Sequence, residues 1–216
     1  MKSRTGIILA AAVVIALAAG VGVALSTNKT TPVVSRAGMS MSMHDESMLT
    51  TLKAQTGDAY DQMFITMMSE HHAGAVAMAN YVLKDAKHQE IRTLAANIIS
   101  AQTKELADMK SWAAKWGYTY SAPSQMLIDE NTASFKGKTG DALDKQFLSD
   151  MLAHHQGALD MATLSATRAN HAEIKTLSDN IVSTQTNEIA LMKGYASSFG
   201  YSLGDSGGES MHGMHS

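Results

Sequence analysis

Two stretches of this chain, DQMFITMMSEHHAGAVAMA at residues 61–79 and DKQFLSDMLAHHQGALDMA at residues 144–162, share the spacing D-x-x-F-x-x-x-M-x-x-H-H-x-G-A-x-x-M-A. Within each stretch, apolar residues recur every three or four positions, which is the period of one face of an α-helix. A pair of histidines lies in the middle of each face. Each stretch is therefore predicted to form an amphipathic helix whose inner face carries polar imidazole rings.

The similarity extends beyond these stretches and indicates an internal duplication. Residues 60–118 align with residues 143–201 without a gap, and 27 of the 59 aligned positions are identical. The second half of each unit has the helical pattern E-I-x-x-L-x-x-N-I followed by Q-T-x-E-x-x-x-M, and it ends at a Gly-Tyr pair. Glycine is a common helix stop. Each repeat is therefore predicted to be a helical hairpin.

Two hairpins supply four amphipathic helices and no strand pattern, which favours one bundle with a common core. The predicted fold class is all-α, with a four-helix bundle over residues 58–201. Its parts are repeat one at 60–118, a linker at 119–142 and repeat two at 143–201. The linker is long enough to cross along the bundle, since an extended chain spans roughly 3.3 Å per residue and a helix only roughly 1.5 Å.

The inner faces of each hairpin bring polar residues together. Antiparallel packing about a turn near residue 86 would place His71 opposite Gln102 and Met68 opposite Glu105, and repeat two would have the same geometry. His72 lies one turn after Met68, so either histidine of the pair could point inward. Two interpretations remain open here. One is a metal site, and the other is a packed core in which Glu and Gln satisfy buried histidines and methionine fills gaps.

The segments outside the repeats differ in composition from the bundle. Residues 1–25 begin with two basic residues and continue with an uncharged apolar stretch, which predicts an export signal or an N-terminal membrane anchor. Residues 26–57 and 202–216 are rich in small residues, Met and His without an apolar period, which predicts flexible segments. We therefore expect an exported protein in the periplasm or on the outer face of the cytoplasmic membrane, with membrane contact only through its N-terminal segment.

The composition indicates which ligand such a protein would bind. The 216 residues include 16 Met and 9 His but no Cys, and the net charge of -3 argues against a nucleic-acid partner. Thioether sulfur selects Cu(I), and imidazole suits copper in both oxidation states. Flexible segments have no core to fill, yet they carry Met39, Met41, Met43, His44, Met211, His212, Met214 and His215. Copper is therefore the predicted ligand, with Cu(I) favoured, Cu(II) possible and Ag(I) able to substitute.

The spaced motif of both repeats resembles that of bacterial proteins with domain of unknown function 305, a ferritin-like family that includes exported copper-binding proteins of the CopM type. The resemblance implies a ferritin-like four-helix bundle that binds copper through Met and His and serves copper tolerance. The residues it implies by position are Met68, His71, His72, Met78, His88, Glu105 and Met109 in repeat one, and Met151, His154, His155, Met161, His171, Glu188 and Met192 in repeat two.

Nothing in the sequence suggests catalysis. A di-iron site in such a bundle needs Glu-x-x-His motifs on two helices, whereas Glu70 directly precedes His71 and the counterpart of Glu70 is Ala153. A nucleophilic hydrolase is not supported either, because cysteine is absent and no serine lies in a recognisable nucleophile elbow. The chain is therefore expected to bind a ligand without turning it over.

The sequence thus predicts a copper-binding protein that sequesters or buffers the ion, or hands it to a copper transporter or efflux system. Because imidazole must be deprotonated to bind metal, such a site is expected to release copper at about pH 5 to 6. The alternative is a structural or interaction bundle of the cell envelope that has no dedicated metal site.

Overall fold

The computed structural model describes residues 48–203, and its architecture is helical throughout. The helices are α1 Gly57–Asp85, α2 Gln89–Trp116, α3 Gln125–Thr132, α4 Gly140–Ala162, α5 Ser165–Arg168 and α6 Ala172–Ser198. A 3-10 turn at Ala133–Phe135 follows α3, and residues 48–53 are also helical. Within residues 48–203 there is no β-strand. The prediction of an all-α bundle built from two hairpins is confirmed.

The four long helices α1, α2, α4 and α6 form the bundle, and each repeat supplies one antiparallel pair. In repeat one, the Ser69 hydroxyl lies 3.7 Å from the Met109 sulfur, and His72 Nε2 lies 2.7 Å from a Glu105 oxygen. Residue numbers therefore rise along α1 as they fall along α2. Helices α4 and α6 of repeat two pack against each other in the same way.

The two hairpins pack so that α1 and α4 are also antiparallel. At the start of α1, the Tyr60 hydroxyl donates to the carbonyl of Met161 near the end of α4, at 3.2 Å. Beyond the end of α1, the main-chain N–H of His88 donates to Asp144 near the start of α4, at 2.9 Å. Because α2 and α4 then run in the same direction, the linker between them has to cross along the bundle.

The crossover packs on α1 and α4. On α1, Asn131 of α3 lies so close to Gly74 that a Cβ at this position would be 2.9 Å from the carboxamide atoms of Asn131. The Tyr81 hydroxyl donates to the carbonyl of Phe135 at 3.3 Å. The ring of Phe135 in turn packs on Phe147 of α4, with 6.4 Å between ring centroids. The crossover therefore covers the side of the bundle formed by α1 and α4.

The apolar core consists of two clusters that lie towards opposite ends of the bundle. The first contains Tyr60, Phe64, Met68, Met109 and Met161 among others. The second contains Met78, Phe135, Phe147, Met151 and Met192 among others. The six methionines that the sequence implied as ligands on the long helices are all buried here. Each fully buried Met side chain contributes about 1.5 to 3 kcal/mol to stability, so these residues have a packing role.

At the ends of the bundle, one prediction from the sequence agrees with the structure and another does not. Gly117 and Gly200, the predicted helix stops, have positive φ angles of 74° and 71°. The segment predicted to be flexible over residues 26–57, however, is helical at 48–53, because Leu52 is fully buried in the first core cluster. An apolar period was not visible in so short a helix.

Several predictions concern residues outside the described range of 48–203. They are the predicted export signal or anchor at 1–25, the prediction of flexibility for residues 26–47 and 204–216, and the eight predicted Met and His ligands of the two terminal segments. Of the helices within 48–203, none combines the length and the apolar character that a bilayer-spanning helix requires.

Candidate metal centre

Four histidines meet in the middle of the bundle. His71 and His72 come from α1, and His154 and His155 come from α4 at an offset of 83 residues. The rings of His71 and His154 are in contact across the helix pair, tilted by 45° to each other with 3.7 Å between centroids. We refer to these four residues as the histidine belt. It lies where the duplicated repeats face each other, so both repeats contribute equally to it.

Two belt histidines are each backed by a carboxylate. His72 Nε2 lies 2.7 Å from Glu105 of α2, and His155 Nε2 lies 2.7 Å from Glu188 of α6. Both imidazoles are fully buried, whereas the glutamates are 19% and 14% exposed. Each carboxylate therefore keeps access to solvent while it accepts a hydrogen bond from a ring inside the core.

The belt also holds an unusual concentration of buried polar atoms without a hydrogen-bond partner. Buried polar groups in folded proteins are normally paired, and unpaired ones are few and call for an explanation. Here the unpartnered atoms are Nδ1 of His71, His72, His154 and His155, and Oε1 of Gln102 and Gln185. Imidazole nitrogens with a free lone pair are metal ligands, so this donor set fits a metal ion such as copper.

The glycine of the H-H-x-G motif makes room for the belt. A Cβ at Gly157 would lie 3.2 Å from Nε2 of His71, which is tighter than ordinary van der Waals contact. The equivalent position in repeat one, Gly74, is occupied instead by the Asn131 carboxamide from the crossover. The two halves of the site thus share their histidines but differ in what packs beside them.

Burial keeps the central pair uncharged. It lowers the pKa of His71 to about 3, and neighbouring His72 and His155 add to the effect because their charged forms would repel a second proton. Burial also lowers the pKa of His154 well below its ordinary value, with His71 as the next cause. The central imidazoles are therefore neutral at pH 7, and deprotonated imidazole is the form that binds metal.

A small cleft between α2 and α6 lies on the side of the belt away from the crossover. It has roughly the space of one water molecule. Its lining residues are Ile98, Ala101, Gln102, Glu105, Ile181, Thr184, Gln185 and Glu188. The two glutamates that pair with belt histidines and the two glutamines therefore line this cleft.

The register of the hairpin differs from the predicted one by a full turn. His72, and not His71, meets the second helix, and its partner is Glu105 rather than Gln102. The reason is the position of the turn. The contacts of His72 with Glu105 and of Ser69 with Met109 are symmetric about a point near residue 89 instead of 86, so each residue of α1 meets a residue about one turn further along α2 than predicted. His71 faces the other repeat.

Two histidines implied by the resemblance lie away from the belt, at opposite ends of the bundle. His88 Nδ1 donates to Asp144 at 2.7 Å, and its ring stacks on Phe199 with 3.7 Å between centroids. His171 Nδ1 donates to Asp61 at 2.7 Å, beside the ring of Trp116. In both clusters the aspartate comes from one repeat and the histidine from the other.

The same aspartates also accept main-chain hydrogen bonds just before the second helix of the opposite repeat. Asp144 accepts the N–H of Lys87 and of His88, each at 2.9 Å. Asp61 accepts the N–H of Asn170 at 3.1 Å and of His171 at 2.8 Å. Negative charge at a helix N-terminus is stabilising, so each repeat caps a helix of the other.

The two end clusters differ in one charged partner. In the first, ligand atoms of Asp58, Asp61 and His171 lie within 4.8 Å of one another, and Asp58 accepts from Asn170. In the second, Asp141, which is the counterpart of Asp58, forms an ion pair with Lys87 at 2.7 Å. Among the described residues, the belt has no group of three His or carboxylate donors whose ligand atoms lie as close together. Its carboxylates lie in two His–Glu pairs instead.

Replacing Asp144 by alanine is expected to lower the free energy of unfolding by about 2 to 4 kcal/mol, because one helix start loses a nearby negative charge and three donors, on Lys87 and His88, lose their acceptor. Urea denaturation of the metal-free protein measures the change. Asp179→Ala on the exposed side of α6 is the control, and it should change stability by less than about 0.5 kcal/mol. Equal effects of the two substitutions would contradict the capping role.

The structure thus divides the predicted ligands on the long helices into three groups. His71, His72 and Glu105 come together with their repeat-two counterparts in the belt. The six methionines flank it in the two core clusters, and His88 and His171 occupy the bundle ends. Asp61 and Asp144 were recognised only as the first residues of the repeats. Both aspartates and both histidines are identical in the two repeats, and this was the only indication in the sequence that each aspartate pairs with a histidine.

Comparison with solved structures gives close matches in fold. CopM in the Cu(I)-bound form is 34% identical over 64% of this chain and 96% of its own length, with a TM-score of 0.57. CopM in the Cu(II)-bound form is 30% identical over 67% and 99%, with a TM-score of 0.56. An Ag-bound form of CopM is 33% identical over 64% and 96%, also with a TM-score of 0.56.

A further solved structure and a family model place the chain in a family. A DUF305 protein from Streptomyces coelicolor, described as a candidate secreted protein, is 25% identical over 67% of this chain and 96% of its own, with a TM-score of 0.59. No curated protein matches the chain. The model of the domain of unknown function DUF305 matches residues 19–113 and 61–196. The two overlapping matches reflect the duplicated motif, and the chain belongs to the DUF305 family.

Proposed function

We propose that this protein is an exported copper-binding protein that sequesters or buffers copper, with the ion held in the histidine belt. The observation that carries the proposal is the set of four imidazoles whose Nδ1 atoms are buried and have no hydrogen-bond partner among residues 48–203. A structural bundle, the alternative reading of the sequence, would leave these atoms unpaired at a cost in stability. A bound metal ion would use them.

The chemistry of the belt favours copper over harder metals. Imidazole suits Cu(I) and Cu(II), whereas carboxylate and carbonyl ligands suit Mg²⁺, Ca²⁺ and Mn²⁺. The carboxylates of Glu105 and Glu188 are already engaged by histidine. Met68 and Met151 each lie one helical turn before a belt histidine, so soft thioether sulfur is near. The likeness to CopM, whose solved forms carry Cu(I), Cu(II) and Ag, supports the same ligand class.

The proposed route of the ion follows the layout of the chain. The Met and His residues of the terminal segments capture copper weakly, and the belt holds it more tightly. The ion is then stored, or passed to a copper transporter or efflux system, without turnover. An apolar N-terminus after two basic residues supports export to the periplasm or to the outer face of the cytoplasmic membrane. The description of the Streptomyces relative as a candidate secreted protein agrees with this location.

The test is a Cu(I) titration of residues 26–216 against a competing chelator, beside a variant in which the eight terminal Met and His residues are replaced by Ser. We expect the variant to lose weak sites and to retain its tightest site. Loss of all tight binding in the variant would assign copper to the terminal segments. Absence of tight binding in both proteins would favour the structural bundle.

A further inference from the structure

We propose that Glu105 and Glu188 are positioning residues, not metal ligands, and that they make Nδ1 of His72 and of His155 the atoms that bind the metal. The inference rests on the proposed function, because it specifies how the belt would hold its ion. It differs from the reading carried over from the family resemblance, in which both glutamates belonged to the ligand set.

The hydrogen bond of each His–Glu pair fixes the position of the ring proton. A carboxylate only accepts hydrogen bonds, so the proton between His72 and Glu105, 2.7 Å apart, belongs to Nε2 of the imidazole. The same holds for His155 and Glu188, also at 2.7 Å. A neutral imidazole carries one ring proton. With that proton on Nε2, Nδ1 has a free lone pair.

The Nδ1 atoms of His72 and His155 lie in the interior of the bundle without a hydrogen-bond partner in the part of the chain that the structure describes. Both residues are fully buried. The arrangement occurs twice, at equivalent positions of the two repeats. Histidines that bind metals usually donate their other ring N–H to a carboxylate or carbonyl, which fixes the tautomer and raises the basicity of the ligating nitrogen. Both pairs have this arrangement.

Glu105 and Glu188 are on the wrong side of the imidazole rings to bind the same ion as Nδ1. In an imidazole ring the two nitrogens point in widely different directions, so a metal on Nδ1 lies on the other side of the ring from a carboxylate on Nε2. Glu105 and Glu188 line the cleft between α2 and α6 and are partly exposed to solvent. They hold the histidines from outside while the metal would lie inside the bundle.

The experiment combines two readouts on residues 26–216, which include the whole bundle, and on the same protein with Glu105→Gln and Glu188→Gln. Side-chain ¹⁵N NMR of the metal-free protein reports which ring nitrogen carries the proton, and chelator competition reports Cu(I) affinity. In the native protein we expect His72 and His155 to be protonated at Nε2. In the double variant we expect mixed tautomers, because an amide can either donate or accept, and an affinity about 10- to 100-fold lower.

Two further variants complete the comparison. Glu90→Gln lies on the exposed start of the same helix α2, and it should change neither readout. Glu105→Asp with Glu188→Asp keeps the charge but shortens the side chain, and it should lower affinity as the amide variant does. If the glutamine variant does not fold, the inference is still tested by the ring tautomers of the native protein and by the Cu(I) affinity of the aspartate variant.

Three results would overturn the inference. One is protonation of His72 and His155 at Nδ1 in the native metal-free protein. Another is loss of Cu(I) binding in the glutamine variant with both tautomers unchanged, which would make the glutamates direct ligands. The third is unchanged affinity despite altered tautomers. Failure of the native protein to bind copper would refute the proposed function instead, while the tautomers in the metal-free protein would still be measurable.

Discussion

Replacing His72 and His155 together by alanine is expected to lower the Cu(I) affinity of the chain at least about 100-fold, since loss of a supporting residue alone costs about 10- to 100-fold. The double variant removes two of the four unpartnered Nδ1 atoms of the belt. Glu105 and Glu188 remain partly exposed through the cleft, so water can hydrate them once their histidines are gone. The variant should therefore still fold.

The measurement is chelator competition at matched protein concentration, with circular dichroism to check that helicity is retained. Alanine is the strongest helix former, so the helices should persist, although the cavities cost about 2 to 5 kcal/mol each at most. His88→Ala is the matched control. It removes a motif histidine from the bundle end, where it binds Asp144, and it should leave copper affinity unchanged. A larger effect of the control than of the double variant would place the site at the bundle ends.

Acidification is expected to destabilise the metal-free bundle strongly. His71 has a pKa of about 3 in the folded protein, against about 6.5 in an unfolded chain. As the pH falls below about 6.5, the unfolded chain binds a proton that the folded protein rejects, so stability declines until the folded pKa is reached. The contribution is fully present above pH 6.5. Burial lowers the pKa of His154 in the same direction, so both residues act together.

The expected slope is about 1.4 kcal/mol per pH unit for each histidine within this window. Urea denaturation at pH 7, 5 and 4 measures it. A variant with His71→Leu and His154→Leu removes both titrating groups, and its stability should depend much less on pH over the same range. An equally steep decline in that variant would assign the effect to other residues, such as the carboxylates that cap helices at the bundle ends.

The same burial changes the expected release of copper. Free imidazole would give up metal at about pH 5 to 6, which was the expectation from the sequence. Protons compete for His71 only near its lowered pKa of about 3. If His71 and His154 bind the ion together with His72 and His155, the belt is therefore expected to retain copper at pH 5, and a pH titration of the loaded protein checks this. Release near pH 6 would show that His71 and His154 do not hold the ion.

The sequence was sufficient for the fold because the evidence for it was local and duplicated. Helical periodicity and the gapless repeat specify two hairpins, and the length of the linker permits the crossover. The histidine pairs could also be placed on inner faces. Their individual roles could not, because a shift of the turn by about two or three residues decides whether His71 or His72 meets α2, and the ends of helices are difficult to predict that closely.

The roles of His88 and His171 were beyond reach for a different reason. Their partners, Asp144 and Asp61, lie in the opposite repeat, and periodicity within one hairpin carries no information about contacts between hairpins. The helical segment at 48–53 was missed because its burial depends on a groove that exists only after the bundle has assembled.

Reciprocal capping has a consequence for how this architecture can exist at all. A hairpin on its own would leave the start of its second helix without the aspartate that accepts its main-chain hydrogen bonds, while its own aspartate would have no helix to cap. The smallest self-sufficient unit is therefore a pair of hairpins related by a twofold axis, as in a symmetric homodimer. In this chain the crossover joins the pair covalently, so the two halves no longer need to be identical. Asn131 against Gly74 on one side and His71 against Gly157 on the other are the result of that freedom.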